Sequence, residues 1–108
     1  MKKLITLLLL VVLGSAVASA GIRFMTKMDD GNHYILTIQD DDSWYLQECS
    51  SHQIVERGTA KSEKNPGCDT DVNIDLYSTN GLFIGTGIYH AMTCKFEFAG
   101  YVWQQLPN

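Results

Sequence analysis

The twenty residues from Asp71 to His90 read DVNIDLYSTNGLFIGTGIYH. Val72, Ile74 and Leu76 alternate with Asn73, Asp75 and Tyr77, the period of a strand with two different faces. Asn80-Gly81 interrupts the alternation with a dipeptide that tolerates positive φ, and Leu82 to His90 resumes it. The stretch predicts a two-residue β-hairpin in which Thr79 opposes Leu82. In that register Val72 faces Tyr89, Ile74 faces Gly87 and Leu76 faces Gly85. The two glycines leave gaps beside Ile74 and Leu76, so a bulky group from elsewhere, most naturally an aromatic ring, is expected to fill them. The opposite face carries Leu82, Ile84 and Ile88. A hairpin that is apolar on both faces belongs inside a sandwich or a closed barrel, not on a one-sided sheet.

The same period extends outward along the chain. Strands are expected at Ile22–Met28, His33–Gln39, Trp44–Cys49, weakly at His52–Arg57, and again at Met92–Phe98 and Tyr101–Leu106. Turn residues separate them: Asp29-Asp30-Gly31-Asn32, Asp40-Asp41-Asp42, Ser50-Ser51 and Gly100. No segment keeps an i, i+3, i+4, i+7 apolar stripe for three turns. From Gly58 to Asp69 the chain is polar and predicts a loop of about twelve residues, near the upper limit for a small domain. The fold class expected is all-β: a small antiparallel β-sandwich or barrel of about eight short strands.

Residues 1–20 read differently. Met1-Lys2-Lys3 is a positive start, Leu4 to Leu13 is almost wholly apolar, and Ala18-Ser19-Ala20 is a cleavage signal of the A-x-A type. They are expected to be a signal peptide, leaving residues 21–108 as a single β-domain in the periplasm or medium, with no membrane contact after cleavage. The full chain has 8 basic and 12 acidic side chains. Without Lys2 and Lys3 six basic and twelve acidic remain, a net of −6. Scattered bases in an acidic chain do not neutralise phosphates, so nucleic acid is excluded as a partner. A basic protein partner is favoured instead, through electrostatic steering.

Secretion gives the three cysteines a context. One disulfide and one leftover thiol are expected. Cys68 precedes the hairpin's first strand and Cys94 follows its second, so both lie toward the same end of the sheet. A Cys68–Cys94 bridge is therefore preferred over Cys49–Cys94 and Cys49–Cys68, with Cys49 as the free thiol. Its loop of about 26 residues would contribute roughly 3 kcal/mol through the unfolded state.

Motifs for chemistry are sparse. Asp69-Thr70-Asp71-Val72-Asn73 begins like a calcium loop, but Ile74 stands where the sharp turn wants Gly and Asn80 where a bidentate Glu should close the shell. No C-x-x-C, no G-x-S-x-G and no metal-type histidine spacing occur, so neither an enzyme nor a bound metal or cofactor is expected. The aromatic set is more informative. Trp44, Tyr45, Tyr77, Tyr101 and Trp103 are amphipathic rings suited to a binding surface. Gly85-Thr86-Gly87-Ile88-Tyr89, followed by Trp103, faintly resembles the small barrel-shaped inhibitors of lysozyme in bacterial periplasms. The match covers two short stretches and lacks that family's serine-glycine core, so no residue role is carried over. The reading that results is a small secreted binding domain, of inhibitor or immunity type, for a cationic partner. The alternative is a structural or assembly subunit of an envelope or extracellular complex.

Overall fold

The computed structural model describes residues 21–107. The signal-peptide reading of residues 1–20 lies outside them. Eight strands follow one another: β1 (Gly21–Lys27), β2 (His33–Gln39), β3 (Ser43–Glu48), β4 (Ile54–Lys64), β5 (Asp71–Ser78), β6 (Phe83–His90), β7 (Lys95–Phe98) and β8 (Tyr101–Gln105). Each pairs antiparallel with the next, and β1 pairs with β8, so the sheet closes into an up-and-down barrel. No helix occurs among the described residues. Of the two architectures expected, the barrel is the one formed.

Alternation explains the closure. Inward positions carry Phe24, Leu36, Ile74, Leu76, Phe96 and Trp103, all essentially without solvent contact. Burying each such side chain contributes about 1.5–3 kcal/mol. Phe24 stacks on Phe96 at 4.7 Å and meets Tyr89 at 5.6 Å. The gaps at the two glycines are filled as expected. A Cβ on Gly87 would sit 2.2 Å from Phe96 Cζ, and one on Gly85 would sit 3.2 Å from Phe98 Cε1. Two rings of β7 thus occupy the space that β6 leaves open.

The hairpin register holds from Asp71↔His90 to Leu76↔Gly85 and then shifts, with Tyr77 paired to Phe83. The two-residue turn is not formed. Gly81 N–H donates to Ser78 O and Ser78 N–H to Leu82 O, and only Gly81 has positive φ, at 83°. That is a type I turn closed by a glycine bulge, which needs one left-handed residue instead of two. The register shift leaves Ile84 as an extra residue on β6.

Two further expectations are corrected. The polar stretch after Gly58 is not a loop: β4 runs on to Lys64, and the connection is only residues 65–70. Its inward side chains are small (Gly58, Ala60, Ser62) and its outward ones polar, so the strand alternates without an apolar face. Gly58 is obligatory, because a Cβ there would lie 1.8 Å from Tyr77 O and 2.9 Å from the Trp44 indole nitrogen. The Cys68–Cys94 bridge is also absent: Cys49, Cys68 and Cys94 are all free thiols. Their two turns do share one rim, joined by the Ala91 N–H to Thr70 O bond at 3.2 Å. Each sulfur is directed elsewhere, Cys68 Sγ to Thr70 Oγ1 at 3.3 Å and Cys94 Sγ to Ala91 O at 3.9 Å.

The closing seam is short. β1 and β8 share the ladder pairs Phe24↔Gln105 and Met25↔Gln104. Leu106 N–H adds a bond to Arg23 O at 2.8 Å, and the Thr26 hydroxyl donates to Val102 O at 3.0 Å.

Candidate functional site

The β1–β2, β3–β4, β5–β6 and β7–β8 turns share one end of the barrel, and this end is open. A cup of about 310 Å³ enters the interior there. Trp44, Leu36 and Trp103 make its floor, while Met28, Leu46 and Phe98 line its walls. Trp44 and Trp103 are 3% and 1% exposed, and their indole N–H groups donate to Tyr77 O at 2.9 Å and Phe98 O at 3.0 Å. Both indoles are thereby fixed with an apolar face beneath the cup.

Glu56 is the ionisable side chain of the lining. It makes no ion pair or side-chain hydrogen bond among the described residues. A second acid of this end is treated differently. The Glu48 carboxylate accepts from the hydroxyl and N–H of Ser50 and from the N–H of Ser51, at 2.7–3.0 Å. These donors from the two serines hold its pKa down to about 2. Asp30 accepts the Tyr34 hydroxyl at 2.7 Å, which lowers the Asp30 carboxyl and raises the Tyr34 phenol. The open end thus carries Asp29, Asp30, Glu48 and Glu56 against Lys27 and Arg57.

Two β-bulges shape the rim. In β4 the pairing passes from Leu46↔Glu56 to Gln47↔Ile54, so Val55 is the extra residue. In β6 the extra residue is Ile84. Each bulge breaks the in–out alternation and turns consecutive apolar side chains to solvent. They are Ile54 and Val55 on one side and Leu82, Phe83 and Ile84 on the other, with Leu82 67% and Phe83 60% exposed. Bulges concentrate at barrel rims and beside functional sites, and a run of exposed apolar residues marks an interaction surface.

The wall also has a notch. The β6–β7 ladder stops at Ile88↔Glu97, while β6 continues upward beside β5 to Phe83. β7 falls short because Ala99 and Gly100, with φ of 58° and 81°, turn it back into β8. A shallow hollow of about 560 Å³ lies on the outer wall at this place. Thr86, Phe98 and Ala99 border both hollow and cup.

The five aromatics singled out in the sequence do not form one surface. Trp44 and Trp103 are buried in the core and floor the cup. Tyr101 stands at the mouth and accepts the Asp29 N–H at 3.3 Å. Tyr45 and Tyr77 lie half-buried on the outer wall, where Tyr77 packs on Phe83 at 5.5 Å and Lys61 Nζ sits 5.5 Å above its ring. The rim residues Ile54, Val55 and Phe83 were not singled out; their signal was the apolar outer side of the hairpin and of early β4. The acids of the calcium-like stretch serve the wall: Asp71 meets His90 Nδ1 at 3.1 Å and Asp75 accepts the Thr86 hydroxyl. No family model matches the chain, and neither a curated protein nor a solved structure does.

Proposed function

We propose that this chain is a secreted or periplasmic, non-enzymatic binding domain that takes a basic partner protein on the open end of its barrel. The supporting observation is the pair of bulges. They present Ile54, Val55, Leu82, Phe83 and Ile84 around a cup that bears the Glu56 carboxylate. An apolar ring around a charged pocket is the anatomy of an interface with a central anchor, where the ring excludes water and the pocket supplies the energy. The excess of carboxylates at this end favours a cationic partner and speeds its encounter. An inhibitor or immunity role is the concrete form this reading takes.

The test is affinity capture from native envelope or medium by the wild-type barrel and by Phe83→Asp and Ile54→Asp variants. A captured basic protein should bind the variants at least about tenfold more weakly, as hot-spot truncations do. Lys95→Asp, at the opposite end, should leave binding intact. Equal capture by all three variants removes the open end as the interface. The second reading, an assembly subunit, is favoured by upper β6, whose side toward β7 has no strand partner among the described residues and offers an edge on which another strand can pair. Concentration-dependent self-association in sedimentation would select it.

A further inference from the structure

We propose that the cup is the seat of a single arginine side chain supplied by the partner. The inference rests on the open end being the interface and names what enters it. A side chain accepted here must satisfy two surroundings at once. Its apolar part meets Met28, Leu46, Phe98 and the two tryptophans, and its polar end meets the Glu56 carboxylate, which stands beside Leu46 across the β3–β4 ladder. An aliphatic residue would leave Glu56 desolvated with no partner, which penalises burial of that carboxylate. An acidic residue would add a like charge. A cation on an apolar stem meets both requirements.

The choice between the two long cations follows from the acceptor geometry. The cup offers a single carboxylate, that of Glu56, and flat aromatic floors. A lysine ammonium is a compact, strongly hydrated charge that gains no planar contact with the aromatic floor. A guanidinium makes a two-point fork with a single carboxylate and lays its plane on an aromatic face. Its weaker hydration also lowers the cost of entering an apolar cup. The volume of about 310 Å³ accommodates one such side chain and excludes a folded segment.

The chain's two tryptophans both floor the cup, so its emission reports occupancy directly. The probes are Nα-acetyl-arginine amide, its lysine analogue, and its citrulline analogue, which has the shape of arginine without the charge. Titration of the full barrel should give a saturable emission change with the arginine amide in the millimolar range, as expected of so small a ligand. Amide shifts in NMR should fall on Leu46, Glu56 and Thr86. Citrulline amide should bind at least about tenfold more weakly, the loss of a charge-assisted fork. Glu56→Gln, at an exposed position that leaves the core untouched, should reduce arginine amide to the citrulline level. Equal binding of arginine and citrulline amides overturns the proposal, as does tighter binding of the lysine amide or shifts confined to residues outside the cup. Failure here with Phe83→Asp still releasing the partner sinks the arginine seat alone. Arginine amide bound normally with Phe83→Asp and Ile54→Asp still holding the partner sinks the interface reading instead.

Discussion

Glu48 is a buried acid that stays charged because the turn following it turns three donors, the Ser50 hydroxyl and the N–H groups of Ser50 and Ser51, onto its two oxygens. Its pKa lies below the ordinary 4.5, at about 2. The sign of the linkage follows: this contribution to stability is complete above the ordinary value and is lost as pH falls through about 2. Glu48→Gln should therefore melt below wild type at neutral pH, with the gap closing between about pH 5 and pH 2 in a Tm-versus-pH series. Asp40 is the reverse case. Its Oδ1 is buried with no hydrogen-bond partner among the described residues, and burial together with the neighbouring Asp41 charge raises its pKa. Asp40→Asn should melt above wild type at neutral pH and lose that advantage near about pH 3, where the native carboxyl is protonated in both states. Neither environment was legible in the sequence, where Glu48 and Asp40 are two acids among twelve. The glycines were legible. Gly85 and Gly87 announced missing volume opposite Ile74 and Leu76, and Phe96 and Phe98 supply it. Gly87→Ala should cost about 1–3 kcal/mol by overpacking Phe96. The double variant with Phe96→Leu should recover part of the loss, a coupling that denaturant titration of all four proteins measures. The thiols are the residues misread. Spacing placed Cys68 and Cys94 on one rim, but which way a sulfur points depends on turn geometry, and Cys94 sits at φ 59°.

Seven of the eight elements were readable from alternation, because side chains that change character at every second position mark an extended strand. β4 was readable only as far as Arg57. Its inward side is Gly58, Ala60 and Ser62, residues small enough to let Trp44 cross the interior, and a small side chain carries no hydrophobic signal. The turn type of the β5–β6 hairpin was missed for a related reason: Asn80-Gly81 is compatible with two left-handed residues or with one, and the choice is made by the bulge at Ile84. The elements also differ in how firmly they are held. β5–β6 has pairs from Asp71 to Tyr77, whereas β1–β8 has two ladder pairs and the Thr26 hydroxyl bond. Native-state hydrogen exchange should therefore open the β8 amides facing β1 before those of β5 and β6. Thr26→Val should widen that difference with little change in the protection of β5. Uniform protection around the ring would contradict this ranking.

At the scale of the whole molecule, the net charge of −6 for residues 21–108 is the feature of the sequence on which the proposal of a cationic partner rests, while the open end is visible only in the folded barrel. Strand periodicity says which face is inward, but not which end of a barrel is left uncapped or where two bulges coincide. The closed meander makes a further prediction. Arg23 donates its guanidinium to Pro107 O at 3.0 Å, so the two ends of the described chain lie side by side. A circular permutant that joins them by a short linker and opens the chain in the exposed stretch Pro66–Asp69 should fold to the same circular dichroism spectrum and bind the same ligands. Loss of cooperative melting in that permutant would show that the β4–β5 connection does more than link two strands. The seam has a mechanical meaning as well. β1 and β8 are antiparallel neighbours whose outer ends emerge at the same rim, so a force drawing those ends apart loads the seam bonds one after another and not all together. The barrel would then peel open like a zipper under a weak pull, beginning at Leu106 and Arg23, although the same bonds resist heat as a set.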